Sequence, residues 1–255
     1  MLRSFYAGVS GLKNHQVRLD VLGNNISNVN TVGFKKGRVT FQELLSQTLK
    51  EANAISNASN PQQIGGGVSI SNIDGIFIQG IPQTTDNPTD LMIQGDDFFV
   101  LTDGVNRYYT RAGSFGFDGE GNLIDNAAKG LKVVGDVDLK LPAGTQSFNI
   151  TTAGDFYCDG TKVGTIQLTR FANPSGLKKI GENLYTATSN SGAANPGNPG
   201  VDGRGTLVPG ALEMSNVDLT EEMTEMIITQ RGFQANARII TTSDQMMDEI
   251  VNLKR

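Results

Sequence analysis

The sequence predicts an α+β protein: a discontinuous helical domain built from both chain ends and able to form coiled coils, with an antiparallel β domain inserted between. Three observations carry this reading. Apolar residues recur every three or four positions at both termini, the middle breaks into short β-favouring runs divided by turn pairs, and glycine is abundant (31 of 255 residues) while Trp is absent and aromatics make up only 7%.

At the N-terminus, Leu2, Phe5, Val9, Leu12, Leu19, Leu22, Ile26 and Val29 have amphipathic helical spacing over residues 1–30. Asn30, Gly33 and Phe34 then mark the turn after the helix. At the other end Met223, Met226, Phe233, Ala237, Ile240, Met247 and Val251 form a heptad-like seam, which Ile227, Ile239, Met246, Ile250 and Leu253 widen. Asp218 or Thr220, followed by Glu221, Glu222 and Glu225, supplies the N-cap and the acidic first turn favoured by the helix dipole.

The central runs SISNIDGIFI, DLMIQGDDFFVL, RYYTRAGSFGF, KVVGDVDLKL and GTIQLTRF are separated by Asp103-Gly104, Asp118-Gly119, Gly121-Asn122 and Asp159-Gly160 at hairpin spacing. Residues 51–67 and 188–205 are mostly small, polar or turn-forming and read as flexible connectors. The expected division is a terminal helical domain at 1–34 and 213–255, extended connectors at 35–70 and 186–212, and a β-rich domain at 71–185.

Composition removes several function classes. A net charge of −5 and a pI near 5.0 argue against general nucleic-acid binding, which requires a basic footprint. No apolar run reaches the ~18 residues of a membrane span, so membrane insertion is not expected. The N-terminus lacks the apolar core of a signal peptide, so any export is expected to proceed without cleavage. Charge is also segregated: residues 1–50 carry seven Lys or Arg against two acids, and residues 213–255 carry four against eight. Opposite signs favour packing of the two ends, within or between chains.

Catalytic candidates are few. His15 is the lone histidine and has no second one with which to share a metal. Cys158 is the lone cysteine and reads as a strand residue. The run from Asp118 to Lys129 places Asp118, Glu120 and Asn122 as a calcium loop would, but Lys129 stands where a bidentate Glu is required, so a hairpin turn is the better reading. Asp96 and Asp97 are adjacent, which in a strand sends them to opposite faces. No cofactor, metal or enzymatic activity is expected.

One feature does not fit an ordinary solvated helix: Asn24, Asn25 and Asn28 recur within the first helical pattern. At about 100° per residue, Leu22, Ile26 and Val29 fall within roughly 60° of one another, and the three asparagines occupy a separate arc about 100° wide. Asn is a poor helix former, so a face of amides points to hydrogen-bonded register setting between packed helices.

The stretches MLRSFYAGVSGLKNHQVRLDVLGNNISNVNTVGFKKGRVTF and GALEMSNVDLTEEMTEMIITQRGFQANARIITTSDQMMDEIVNL resemble the terminal signatures of the bacterial flagellar rod and hook proteins. IFIQGIPQTTDNPTDLMIQGDDFFVL and YYTRAGSFGFDGEGNLI are similar to that family's first β segments. The resemblance implies a structural subunit, exported unfolded through the flagellar type III apparatus and self-assembling into a helical tube. The terminal helices would form the inner tube and carry the assembly contacts, with the β domain outside. Implied partners are further copies of itself, the rod and hook–filament junction proteins, the hook cap and the export apparatus. Gly23-Asn24-Asn25-Ile26 and Asn30-Thr31-Val32-Gly33-Phe34-Lys35 are similar to the hook form, a flexible coupling between rod and filament. The distal rod form, which the short chain favours, is the alternative. A reading from another class is a secreted glycan-binding or cell-wall-acting β module, with Tyr108-Tyr109 as a sugar platform.

Overall fold

The apolar spacing at the two chain ends produces the two long helices, and a computed structural model describes them within residues 2–51, 60–127, 130–142, 144–145 and 147–253. The chain divides into two units, one of residues 1–27, 37–74 and 218–255, the other of residues 28–36 and 75–217.

In the first unit, helix α1 (Leu2–Ser27) packs along helix α2 (Leu219–Asn252). Asp218 is the N-cap of α2: its carboxylate accepts from the amides of Thr220 and Glu221, and Glu221 and Glu222 fill the acidic first turn. Strands β1 (Gly37–Glu43) and β4 (Val68–Gly75) pair with each other, and β2 (Gln47–Lys50) pairs with β3 (Gln62–Ile64). The stretch expected as a connector at 35–70 is therefore largely a pair of β ribbons. Alternation in GRVTF and VSISNI suffices for pairing, and the Leu44 amide donates to the Gly67 carbonyl, so the Gly65-Gly66-Gly67 run carries the strand from β3 into β4 opposite residues 44–46. Residues 52–59 of the expected connector lie outside the described residues.

The second unit contains β5 (Pro82–Thr84), β6 (Leu91–Gln94), β7 (Phe98–Thr102), β8 (Arg107–Thr110), β9 (Phe115–Phe117), β10 (Leu123–Asp125), β11 (Lys132–Val133) and β12 (Phe148–Ile150). It continues through β13 (Asp155–Cys158), β14 (Thr161–Thr165), β15 (Leu168–Arg170), β16 (Lys178–Gly181), β17 (Leu184–Thr186), β18 (Asn195–Gly197), β19 (Thr206–Pro209) and β20 (Ala211–Glu213). Its main antiparallel sheet runs β16-β17-β8-β7-β11-β10-β9, with β15 also joined to β7 and β18 to β15. Strands β12-β13-β14 form a second sheet, and β19 and β20 return to pair with β6 and β5.

Phe98-Phe99-Val100-Leu101 is buried on both faces of β7, which is why its apolar run is unbroken rather than alternating. Phe99 and Leu101 enter the larger core with Leu91, Phe115, Phe156 and Leu207; Phe98 and Val100 enter a second, aromatic core. Tyr109 lies in that second core, edge-on to Phe171 at 4.8 Å. Tyr108 packs against the first. The two tyrosines therefore face opposite sides of their strand and present no sugar platform, which removes the feature that suggested a glycan-binding module.

The turn pairs act as their chemistry predicts. Asp159 and Gly160 both take left-handed backbone (φ 47° and 81°), closing the β13–β14 hairpin as a type I′ turn. Between β9 and β10, Gly121 donates to the Asp118 carbonyl and Asp118 to the Asn122 carbonyl, so this run is a hairpin turn; Lys129 lies outside the described residues. Cys158 is buried in β13.

Residues 186–212, expected as a connector, belong to this unit and are ordered by side-chain staples. Arg204 binds the Asn195 side chain and the Pro196 carbonyl, Ser191 is fully buried on Thr188, and β18 pairs with β15. Turn-rich composition here encodes specific turns rather than flexibility.

Candidate assembly surface and buried polar clusters

In the first unit the helices approach closely because glycines leave slots. A Cβ on Gly11 would sit 2.7 Å from the Asn236 amide, and one on Gly232 would sit 2.8 Å from the His15 ring. Asn236 and His15 thus interlock the two helices. The His15 ring also meets Phe41 edge-on at 5.7 Å, and the Arg18 guanidinium lies over the same Phe41 ring. Burial, and secondly the Arg18 charge, hold the His15 imidazole below the ordinary histidine value of 6.5. His15 is therefore a packing residue, neutral near pH 7. Arg18 pairs with Glu225 across the helices, one concrete instance of the charge segregation.

The asparagines separate into different roles. Asn25 is 1% exposed; its amide nitrogen donates to the Gly37 carbonyl at 2.9 Å and to Glu222 Oε2 at 3.0 Å, and its oxygen accepts from the Gly37 amide at 2.9 Å. It fixes the exit of α1 against β1 and α2 inside one chain. Asn24 is exposed, and Asn28 lies in the second unit, accepting from the Thr31 hydroxyl. Asn25 is thus the amide that ties α1 to β1 and α2 within one chain.

Among the apolar positions expected to assemble, Leu22 is buried, while Phe5, Val9, Leu12, Leu19 and Ile26 of α1 and Met226, Ile240 and Met247 of α2 are half-buried. Of these, Ile240 lies against the Gly8 position of α1. Met223, Ile227, Phe233 and Val251 remain exposed, and Val29 and Asn30 lie past the end of α1. Ile228, Ile239, Met246, Ile250 and Leu253 are also exposed, and at 100° per residue they fall within an arc of roughly 60°. This outer stripe of α2 stays largely open within its unit, with Ile239 at its edge reaching the Gly8 position of α1.

The second unit holds a buried charge cluster that sequence reasoning missed. Lys35 is fully buried: its ammonium donates to Glu213 Oε1 at 2.5 Å and to the Ile78 carbonyl at 2.7 Å. Arg111 donates to the Gly95 carbonyl at 2.7 Å and reaches Glu213 Oε2 at 3.4 Å, with its guanidinium 4.9 Å from the Phe98 ring centre. Burial lowers the pKa of both cations, and the Glu213 charge opposes that shift. Glu213 also accepts from the Gly80 amide. Beside it Asn216 accepts from the Lys36 amide and donates to the Ile76 and Ile78 carbonyls. Gly33, left-handed at φ 67°, donates to the Glu213 carbonyl, and a Cβ there would lie 2.5 Å from the Ala112 nitrogen. Phe34 is buried beneath the Lys179 ammonium. The one available signal was parity: in β20 Ala211 and Glu213 share a face, so a carboxylate stands at an inward position.

No group of His, Cys, Asp or Glu that could hold a metal occurs among the described residues, and no described helix is long and apolar enough to cross a membrane.

Comparison with known proteins gives these surfaces a context. Residues 5–35 match the flagella basal body rod protein family, residues 92–158 the flagellar hook protein FlgE/F/G D1 domain, and residues 208–253 the flagellar basal body rod FlgEFG protein C-terminal family. The chain is 48% identical over 267 aligned residues to the flagellar basal-body rod protein FlgG of Bacillus subtilis (strain 168), with 100% of both chains covered. It is 39% identical to FlgG of Borreliella burgdorferi, again over 267 residues and the full length of both. To the flagellar hook protein FlgE of the same Borreliella strain it is 29% identical over 442 aligned residues, 100% of each chain. That alignment is far longer than this chain, so the hook protein carries long segments with no counterpart here. The match to the rod proteins runs end to end with little length difference, and it takes in both helices, the β core and the strands returning from it. The chain belongs to the bacterial flagellar rod and hook protein family.

Proposed function

We propose that this chain is a structural subunit of the flagellar rod, of the distal rod type, and that it self-assembles without catalysing a reaction. The observation that carries the choice of rod over hook is length-matched identity: 48% over 267 positions to a rod protein, against 29% over 442 to a hook protein. The hook reading suggested by Gly23 and Val32 is the weaker one, since two short motifs count for less than identity along the whole chain.

The outer stripe of α2 supports the assembly reading. A row of Ile228, Ile239, Met246, Ile250 and Leu253 facing water costs free energy in a lone subunit and is covered when helices of neighbouring copies pack around a common axis. In this reading the helical unit forms the inner tube and the second unit packs outside it. Delivery is as an unfolded chain through the flagellar export apparatus, and the partners are further copies and the axial proteins at either end.

Deletion of the gene tests the choice. A distal rod subunit predicts basal bodies with a shortened rod and no hook; a completed rod lacking only the hook would assign the chain to the hook instead.

A further inference from the structure

We propose that the Lys35–Arg111–Glu213 cluster is a closure lock, which keeps the second unit incomplete until residues 205–213 have arrived. A chain is made from its N-terminus, so this segment is added after almost all of the rest of the unit. Its absence leaves three separate defects. Leu207, fully buried, is missing from the main core, and β6 lacks the pairing of Leu207 with Ile93 and Val208 with Met92. The buried Asp97 carboxylate lacks the Gly205 amide, which donates to it at 2.6 Å. Lys35 and Arg111 lack the one carboxylate they share.

Each defect leaves a buried group without its compensation, and two of the three involve charge, which interiors tolerate least. Apolar strands alone could collapse in part as they emerge. Asp96 attracts both cations and Asp97 attracts Arg111, but Glu213 is the carboxylate hydrogen-bonded to the pair, so its arrival, from a position 178 residues beyond Lys35, makes closure late and cooperative. For a subunit delivered unfolded, as in the function proposed above, such a lock delays folding until little besides α2 remains to follow.

Pulse-labelling hydrogen exchange during refolding of the purified full-length chain tests this. The amides of residues 91–110 are expected to gain protection in the same kinetic phase as those of 206–213. In native Glu213→Gln their protection should fall about tenfold or more, because two buried cations lose the carboxylate hydrogen-bonded to both. Adding Lys35→Met to Glu213→Gln should recover protection, since one cation is gone and Asn216 still serves the Ile78 carbonyl. The lock is overturned if residues 91–110 are protected in an earlier phase, if Glu213→Gln leaves protection unchanged, or if the double variant is no better than the single one. Refolding is independent of location in the flagellum, so a failure here and a failure of the rod assignment are separable.

Discussion

Asn25 shows how one buried amide can tie a helix to two other elements of the same chain. Its three hydrogen bonds all close within the chain, to Gly37 and Glu222. Asn25→Ala leaves the Gly37 groups and the buried Glu222 without this partner, and should destabilise the helical unit by about 1–3 kcal/mol. Asn24→Ala, at an exposed site where Ala is the better helix former, should be near neutral or stabilising. Urea unfolding followed by circular dichroism at 222 nm separates the two. At His15 the folded-state pKa lies below the unfolded value, so the folded state binds fewer protons as pH falls through 6.5. Stability from this site is complete above 6.5 and is lost progressively as pH descends toward the folded pKa. Protection of amides in α1 and α2, relative to their intrinsic exchange rate at each pH, should therefore fall between pH 7 and pH 5.5, and His15→Leu should flatten that dependence. Equal pH dependence in the variant would place the effect elsewhere.

At the scale of elements, the cap of α2 was legible because its chemistry is local. Asp218 accepts from the Thr220 and Glu221 amides, and Asp218→Ala should cost about 0.5–2 kcal/mol of helix stability, read as a lower thermal midpoint of the helical signal. The hairpins at Asp103-Gly104 and Asp159-Gly160 were legible for a similar reason: Gly104 and both residues of the second pair take left-handed backbone, which few sequences accept. The stretches misread as connectors, 35–70 and 186–212, fail that locality. In 35–70 the order is a ladder between β1–β2 and β3–β4, and in 186–212 it comes from β18, β19 and β20 pairing with β15, β6 and β5 and from short-range bonds of Arg204 and Ser191, geometry that composition does not report. The same limit hid Lys35, Arg111 and Glu213, which meet only through the returning strand β20. The Asn24–Asn25–Asn28 arc was visible as a pattern, but Asn25 finds its partners on β1 and α2, outside the helix in which the pattern was read.

At the scale of the whole molecule, the large exposed side chains of α2 are the feature that a solitary protein would not keep. Met246→Lys with Ile250→Lys places two charges in the exposed outer stripe. Circular dichroism of the monomer should be unchanged, while polymerisation and motility are lost, because neighbouring copies would have to bury unpaired charges. A variant that polymerises at the parental critical concentration would exclude this stripe as an assembly contact.

The rod assignment is tested most directly by location. An epitope inserted at the exposed Asp103-Gly104 hairpin tip, where Gly104 has open space around it, should leave the fold intact. Immunogold electron microscopy of purified hook–basal bodies should then place label on the straight rod segment below the hook. Label along the curved hook, with none on the rod, would contradict the rod assignment.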